Sequence, residues 1–282
     1  MKATRLKFNL APVGISLYNR PNHTKKLFKS LLLNKYIDKT EVYIFCDFQK
    51  TNKDEENVNK VKKYISSVQG FKKKHIIFRK KNYGMAKNIV DGIDLIFKNH
   101  DKMIWLEDDK ELSPYFLKFM NEALEFYKQS EKIMSISGYS FPVNRIKIKE
   151  SAVFTRLMIC WTWATWKDRW KYFDNDISIM KKFTPKMKYD FNFENSYLFW
   201  NQLVANKVGK NTTWAIFWYA TIFLNKGLCV CPVEPLAIDT GNDGSGANSQ
   251  KSNLYNNNLS KKKNFIFPIK IEENQEYYNA LK

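Results

Sequence analysis

The sequence predicts an α/β fold in which helices flank a mostly parallel β-sheet. The first observation behind this prediction is the order of the patterns, because strand and helix alternate three times before a fourth strand. The second is that these strands are largely apolar without polar alternation, which is typical of inner strands covered on both faces. A spacing of about 30 residues between the first two strands leaves room for a crossover helix between parallel neighbours.

Each element of this first half has its own sequence signals. Short apolar runs bounded by turn residues predict strands at residues 11–18, 41–47, 76–78 and 102–106. Helices are predicted after Asn22, which we expect to be the N-cap, and at residues 52–68 and 86–97. The first four strands therefore form three successive β-α units.

The second half of the chain is richer in aromatic residues. A helix is expected to start at Pro114 behind the N-cap Ser113, and a strand at residues 133–137 ends at Gly138. Residues 160–166 hold three of the eight tryptophans. The remaining predicted elements are an aromatic helix at 214–224, a strand at 228–232, a glycine-rich loop at 239–246, and a polar tail from 248 whose residues 249–263 we expect to be mobile.

Three consecutive acids, Glu107, Asp108 and Asp109, follow directly on the fourth strand. Ligands bind outside the carboxyl ends of parallel strands, so we expect these acids at a binding site, together with Asp47 at the end of the second strand. Neighbouring carboxylates repel one another unless a cation compensates them, and a hard divalent ion that also takes phosphate oxygens is the usual partner. If the strand geometry persists, Glu107 and Asp109 point one way and Asp108 the other. The alternative is a solvated acidic turn before the next helix.

The composition describes a folded and strongly basic chain of 282 residues with a net charge of +19. Such a charge suggests nucleic acid or an anionic membrane surface as a partner. Only 6 of the 47 basic residues are Arg, the residue favoured for phosphate and base recognition, so nucleic acid is not an expected partner. Peripheral contact with an anionic membrane is expected instead. Since no signal peptide or membrane span is recognisable, we expect a cytoplasmic location, with contact at the inner face of the membrane.

Seven segments occur in an order and spacing that is typical of one family. They are residues 12–21, 42–47, 82–84, 105–109 with 113–116, 160–166, 214–220 and 241–246. Through them the chain resembles bacterial glycosyltransferases of the GT-A fold, and it is similar to family 2 enzymes and to N-acetylglucosaminyltransferase I over residues 10–247. The resemblance implies a Rossmann-like sheet with a donor-binding half at 10–138, an aromatic-rich acceptor-binding half of the same domain at 139–247, and a Lys/Asn-rich tail at 248–282.

The resemblance also implies roles for individual residues. Asp109 corresponds to the ligand of Mn²⁺ or Mg²⁺, an ion that bridges the two donor phosphates and neutralises charge on the departing nucleoside diphosphate. The residues that correspond to donor contacts are Tyr18, Asn19, Arg20, Asp47, Asn82, Glu107 and Asp108. Because the three acids repel one another, we expect Asp109→Ala to leave the fold intact.

The chain differs from N-acetylglucosaminyltransferase I at the position of the general base. In N-acetylglucosaminyltransferase I the general base is an aspartate just before a tryptophan. The corresponding residue of this chain is Thr213, before Trp214, and a threonine cannot take a proton near neutral pH. Asp239 and Asp243 in the glycine-rich loop are the nearest candidates, although turn formation would equally explain them. Glu194 and Glu234 are further candidates. The resemblance favours inversion of the sugar carbon, and a retaining enzyme would need no such base.

The resemblance predicts a hexosyl- or N-acetylhexosaminyltransferase that moves a sugar from a nucleoside-diphosphate donor, a UDP-sugar, to a bacterial surface glycan such as lipopolysaccharide or capsule. Trp163 and Trp214 are candidate platforms for the acceptor sugar, and the alternative is that both belong to the core. A non-catalytic carbohydrate or nucleic-acid binding module is a rival interpretation. A metal-dependent nucleotidyltransferase is another, but residues 19–22 lack the glycine of a phosphate-binding loop.

Overall fold

The computed structural model describes residues 8–143, 148–241, 243–244 and 258–282. The strands are β1 (Val13–Leu17), β2 (Glu41–Cys46), β3 (Lys73–Phe78), β4 (Lys102–Glu107), β5 (Lys110–Leu112), β6 (Ile133–Ser137), β7 (Ala152–Thr155), β8 (Thr162–Trp166), β9 (Leu228–Pro232) and β10 (Ala237–Asp239). The helices are α1 (Pro21–Leu32), α2 (Asn52–Ser67), α3 (Met85–Ile96), α4 (Phe116–Phe126), α5 (Lys167–Trp170), α6 (Pro185–Phe191), α7 (Phe199–Lys207), α8 (Ala215–Leu224) and α9 (Gln275–Leu281). The predicted alternation of strands and helices is confirmed.

A large sheet carries the fold, with the strand order β3-β2-β1-β4-β8-β6-β9-β7. β1 pairs in parallel with both β2 and β4, and β2 pairs in parallel with β3. The register places Ser16 opposite Glu107 and Leu17 opposite Cys46, so these strands end at one edge. This edge brings together the loops after β1, β2 and β4, as expected for parallel strands.

The second half of the sheet is mixed rather than parallel. β8 runs antiparallel to both β4 and β6, and β7 runs antiparallel to β9. β8 starts at the carboxyl end of β4, where Thr162 pairs with Leu106. Trp161, the residue before β8, therefore lies next to the acidic end of β4. The predicted parallel sheet therefore holds for β1 to β4, and antiparallel insertion of β7 and β8 changes the rest.

Two predicted helix starts are wrong. α1 begins at Pro21 with Arg20 at the N-cap position, so Asn22 lies inside the helix and does not cap it. α4 begins at Phe116 and not at Pro114, because the Ser113 hydroxyl donates to the carbonyl oxygen of Ser260. The Ser113 side chain is thus used by a long-range contact, whereas Asn22 is an exposed residue in the first turn of α1.

The C-terminal tail is part of the fold from residue 258 onward. The Arg156 guanidinium donates to both carboxylate oxygens of Glu273, and α9 buries Tyr277, Tyr278 and Leu281. The tail is thus not only a polar extension. Residues 249–257 of the segment expected to be mobile lie outside the described residues. In the part of the chain that is described, no helix has both the length and the apolar character to cross a bilayer.

Trp105 of β4 is packed between two glycines. A Cβ atom added to Gly14 of β1 would lie 2.5 Å from Trp105 Cζ3, and one added to Gly92 of α3 would lie 2.5 Å from Cη2. The indole is completely buried and stacks on Phe45. Glycine is therefore required at both positions by close approach to the ring.

Gly14→Ala is expected to lower the free energy of unfolding by about 1–3 kcal/mol, because the added methyl group overpacks the core against Trp105. Chemical denaturation followed by circular dichroism measures the change. The double variant Gly14→Ala/Trp105→Leu should lose less free energy of unfolding than the two single variants lose together, since the leucine side chain leaves room for the added methyl group. Additive losses would show that the steric explanation is wrong.

Candidate active site

The three acids lie where β4 ends, in a turn that leads into β5. Glu107 is the last residue of β4, and Asp108 and Asp109 form the turn before Lys110. Extended geometry therefore does not persist, so the condition for alternation of the three side chains is not met. Asp108 and Asp109 both point toward Arg20, which follows β1.

Two cations of the protein itself neutralise these carboxylates. The Arg20 guanidinium bonds both Asp108 and Asp109, with 2.7 Å between Nη2 and Asp109 Oδ2. Lys110 Nζ lies 2.6 Å from Asp109 Oδ1 and 2.7 Å from Asp239 Oδ2, and its side chain is only 3% exposed. The site is thus a buried ion cluster and not a set of uncompensated acids.

The cluster shifts the pKa values of its members in opposite directions. Burial raises the pKa of Glu107 to about 7, with Lys110 opposing and the other carboxylates adding to the shift. Burial also raises the pKa of Asp108 above its ordinary range, against the attraction of Arg20. For Asp109 burial is outweighed by Lys110 and Arg20, so its pKa falls well below the ordinary range. Asp109 is therefore the carboxylate that is held ionised.

These contacts change the expectation for Asp109→Ala. The variant would leave Lys110 and Arg20 without their shared carboxylate in a buried place, and removing one partner of a buried pair is costly. The expected intact fold rested on mutual repulsion of the acids, and the structure contradicts that reason. Asp109→Asn keeps the shape and some of the hydrogen bonding, so it is the better probe of function.

The segment after β10 covers the acid turn. β10 pairs antiparallel with β5, and the backbone nitrogen and hydroxyl of Thr240 both donate to the carbonyl oxygen of Asp109. A Cβ atom added to the buried Gly241 would lie 2.9 Å from Asp109 Cγ and closer still to Oδ2. Of the predicted glycine-rich loop, residues 239–241 and 243–244 are described, and they lie next to the acids.

Gly241→Ala is expected to reduce the sugar transfer that the resemblance implies at least tenfold, because the added methyl group displaces the Asp109 carboxylate and a misplaced group in an active site slows the reaction. Steady-state kinetics with the purified variant measures the loss. Gly209→Ala is the control, since open space surrounds its Cβ position, although its positive φ of 71° makes some loss of stability expected. Unchanged transfer in Gly241→Ala would mean that the position of Asp109 does not matter.

The two candidate bases differ in their surroundings. Asp239 accepts from Lys110 through Oδ2 and from the backbone nitrogen of Gly241 through Oδ1, both at 2.7 Å. Asp243 is 49% exposed, and its Oδ2 lies 3.1 Å from Nε2 of His23. Asp239 holds the loop and the lysine in place, whereas Asp243 presents a carboxylate to solvent at the edge of the site.

His23 is a member of the site that the sequence did not reveal. It lies on α1, and its Nε2 also lies 3.3 Å from the carbonyl oxygen of Thr240. Its position three residues after Arg20, on a helix that begins at the carboxyl edge, was an available signal. Glu194 and Glu234 are held elsewhere, because Glu194 pairs with Lys282 and Glu234 pairs with Lys262.

The predicted donor contacts converge on the same edge of the sheet. The Asp47 carboxylate accepts from the backbone nitrogens of Phe48, Tyr83 and Gly84, so it shapes the turn before α3. In the same region the Asn82 side-chain amide donates to the carbonyl oxygen of Phe48, and the Asn19 side-chain amide donates to the Asp54 carboxylate. The hydroxyl of Tyr18 accepts from Lys50 N. These residues lie together, but several of their polar groups already serve neighbouring loops.

Trp163 and Trp214, the two candidate platforms for the acceptor sugar, are buried in the core, as the alternative interpretation held. Trp163 is completely buried and Trp214 is 3% exposed, and their rings stack with centroids 5.0 Å apart. Trp163 therefore offers no ring face to solvent, and the predicted acceptor platform is wrong for it. Trp214 differs, because it lines a cleft of about 440 Å³ between α3 and the segment before α8.

Carboxylate oxygens of this kind suit Mn²⁺ or Mg²⁺. No group of three acidic, histidine or cysteine side chains in the described ranges could hold a metal by itself. Mg²⁺ is commonly bound by one or two carboxylates together with substrate phosphates, so a complete protein cage is not required. Glu107 has no hydrogen-bonding or ion-pair partner within the described residues, and Asp109 Oδ1 is paired only with Lys110 Nζ. The donor set therefore fits an ion shared with a diphosphate.

A parallel sheet whose carboxyl edge carries acids, an arginine and a polar loop is typical of enzymes that bind nucleotides. The family model "Glycosyl transferase family 2" matches residues 13–172, which include β1 to β4, the acid turn and β8. The chain belongs to glycosyl transferase family 2, and the GT-A-type fold expected from the sequence is confirmed. A comparison with the sequences of curated proteins found no match.

Two solved structures are similar to this chain. One is TarS 1-349 from S. aureus, with 11% identity, a TM-score of 0.44, and coverage of 81% of this chain and 60% of that one. The other is a second structure of TarS from S. aureus, with 10% identity, a TM-score of 0.45, and coverage of 82% and 37%. The chain thus spans less than two thirds of the length of either structure.

Proposed function

We propose that this glycosyltransferase moves a sugar from a nucleoside-diphosphate donor to a glycan acceptor, with inversion and with the help of Mn²⁺ or Mg²⁺. The observation that carries the proposal is the convergence of Arg20, Asp108, Asp109 and the loop after β10 at the carboxyl edge of the sheet. A UDP-sugar is the proposed donor, and a surface glycan such as lipopolysaccharide or capsule is the proposed acceptor. Hexosyl or N-acetylhexosaminyl transfer is the proposed specificity.

The donor diphosphate is proposed to lie over the acid turn. Arg20 Nη1 is buried and has no hydrogen-bond partner among the described residues, so it can donate to a phosphate oxygen. Asp109, with Glu107 next to it, would hold the divalent ion, which compensates charge on the phosphates when bound. Tyr18, Asn19 and Asp47 shape the edge where the nucleoside would lie.

The acceptor is proposed to bind in the cleft that Trp214 lines. Its other walls include Lys87, Asn206, Asn211 and Thr213, which supply amide, hydroxyl and ammonium groups suited to sugar hydroxyls. Asn206 fixes the wall, because its amide donates to Thr213 Oγ1 at 3.0 Å and accepts from Thr213 N at 2.9 Å. Thr213, which corresponds to the aspartate of N-acetylglucosaminyltransferase I, thus has a structural role in this chain.

Asp243 is the proposed general base. Its carboxylate takes the proton of the acceptor hydroxyl while the hydroxyl oxygen forms a bond to the anomeric carbon. The bond from that carbon to the diphosphate breaks, and the electron pair leaves with the nucleoside diphosphate. His23 orients the Asp243 carboxylate from α1. Asp239 is proposed to act through Lys110 and Gly241, as a positioning residue.

The proposal is tested by thermal shift and by sugar transfer with a panel of nucleotide sugars, with and without Mn²⁺. A nucleoside diphosphate at 100 times its dissociation constant should stabilise the protein by about 2.7 kcal/mol. Full transfer in excess EDTA would contradict the metal dependence. Stabilisation by glycans alone, without any response to nucleotides, would favour a carbohydrate-binding module.

Asp109→Asn is expected to abolish the part of the nucleoside-diphosphate stabilisation that depends on Mn²⁺, because the amide is a poor ligand for a divalent ion. The measurement is a titration of the melting temperature with nucleotide at fixed Mn²⁺. Asp38→Asn is the control, since Asp38 lies in the short 3-10 helix after α1. A full Mn²⁺ response in Asp109→Asn would exclude Asp109 as the ligand.

A further inference from the structure

One segment carries an unusual share of exposed apolar side chains. Among the described residues, five of the twelve large exposed apolar side chains fall between positions 189 and 208. They are Tyr189 (45% exposed), Tyr197 (37%), Leu198 (63%), Val204 (38%) and Val208 (58%). We call these five side chains, with the nearby Lys186, Lys188, Lys207 and Lys210, the α6–α7 surface.

Helix α7 is apolar on two sides. Leu203 is completely buried and faces the domain, whereas Val204 and Val208 are four residues apart and share the outer side. An outer side in contact with water alone is normally polar. The valines therefore mark a face that is suited to contact with an apolar environment.

The connection between the helices is held in a defined shape. Phe193, Glu194 and Asn195 all have positive φ, and Phe193 is completely buried. The Tyr278 hydroxyl donates to the Glu194 carboxylate at 2.7 Å, and the Tyr197 hydroxyl donates to Leu281 O at 3.1 Å. The C-terminal helix thus supports the loop that presents Tyr197 and Leu198, so the surface is formed in advance.

Most charges around the apolar side chains are positive, and the acids of the segment are Asp190 and Glu194. Lys186, Lys207 and Lys210 are exposed and have no ion-pair partner within the described residues. Lys188 Nζ lies 4.6 Å from the ring centroid of Trp200. The acid Glu194 is neutralised by Lys282 at 2.5 Å. The α6–α7 surface thus combines apolar side chains with uncompensated lysines.

We propose that the α6–α7 surface docks on an anionic lipid bilayer. Tyrosine side chains favour the membrane interface, short aliphatic side chains can enter the boundary of the acyl region, and lysines attract acidic headgroups. Leu33 also lies near exposed lysines, Lys29 and Lys35, so what distinguishes the α6–α7 surface is that five exposed apolar side chains occur together with lysines. Docking is peripheral.

The position of this surface has a consequence for the acceptor, and this part rests on the proposed function. Asn206 lies on α7, and its amide also forms the wall of the Trp214 cleft. Docking through the outer side of α7 would bring that cleft close to the headgroups. An acceptor glycan attached to a lipid would then reach the cleft without leaving the bilayer.

The docking test uses sedimentation with vesicles of phosphatidylcholine alone or with 40% phosphatidylglycerol, and it needs no sugar substrate. Lys207→Gln/Lys210→Gln should weaken binding to anionic vesicles about 25-fold, since each lysine near the surface contributes roughly fivefold. Val204→Ser/Val208→Ser should weaken it at least tenfold through lost apolar burial. Thermal melts check that all variants remain folded.

Matched controls remove the same groups elsewhere. Lys53→Gln/Lys63→Gln removes two exposed charges from α2, and Leu33→Ser/Ile269→Ser removes two exposed apolar side chains. Both should bind vesicles like the wild type. Three results would each overturn the proposal. They are equal weakening of vesicle binding by the control variants, preference of the protein for duplex DNA over vesicles, and a concentration-dependent dimer that only the Val204/Val208 variant abolishes. Normal docking by a protein inactive with every nucleotide sugar would reject only the proposed function.

Discussion

Replacement of the buried Lys110 by methionine is expected to lower the free energy of unfolding by about 3–5 kcal/mol. Lys110 Nζ is the cation shared by Asp109 and Asp239, and carboxylates in its surroundings raise its pKa above the ordinary value despite burial. Methionine has a similar length but no charge, so the carboxylates would repel one another without compensation. Urea denaturation at pH 7.5 measures the loss.

Two further variants make this expectation specific. Lys60→Met removes an exposed lysine that pairs with Glu56 on α2, and such surface pairs contribute little to stability. Lys110→Met/Asp239→Asn should recover part of the stability lost in Lys110→Met, because one of the uncompensated carboxylates is removed. A loss in Lys110→Met no larger than in Lys60→Met would mean that the ion cluster is not structural.

Asp243→Asn is expected to lower turnover by roughly 100-fold with little change in donor affinity, because an amide cannot take the proton of the acceptor hydroxyl. Asp243 is 49% exposed, so the substitution should leave the free energy of unfolding nearly unchanged. Single-turnover kinetics with saturating donor, together with a donor titration, separate the two quantities.

Asp239→Asn is the matched comparison, since the same chemical change is made four residues earlier in the chain. It weakens the bond to Lys110 and should therefore lower stability as well as turnover. Wild-type turnover in Asp243→Asn would exclude Asp243 as the base. If Asp239→Asn alone lost turnover while it kept its stability, the base would be Asp239 and not Asp243.

Local patterns were sufficient for the parallel part of the sheet. The apolar runs of β1, β2 and β4 and the periodicity of α3 depend on neighbouring residues, so the sequence alone locates them. The edge at which Asp47 and Glu107 meet follows from the parallel order. The predicted start of α4 failed because a distant atom, the carbonyl oxygen of Ser260, accepts the hydrogen bond of the expected capping residue Ser113.

The ion cluster could not be predicted in the same way. Arg20 and Asp108 are 88 residues apart, and Lys110 and Asp239 are 129 residues apart, so no local pattern connects them. The expectation of an external cation was reasonable for three neighbouring acids. It omitted the two protein cations, because only tertiary structure brings them to the acids. The same reason applies to His23 and Asp243.

The pairing of β5 with β10 has a consequence for the order in which the protein folds. The paired residues Lys110 and Asp239 of these short strands are 129 residues apart in the sequence, and contacts across a loop of this length close slowly, since the entropy of loop closure must be overcome first. The parallel strands β1 to β4 can form before that contact exists. During refolding the parallel strands β1 to β4 are therefore expected to form before the ion cluster, and a chain still emerging from the ribosome lacks the Asp239 partner of Lys110 until β10 has been synthesised.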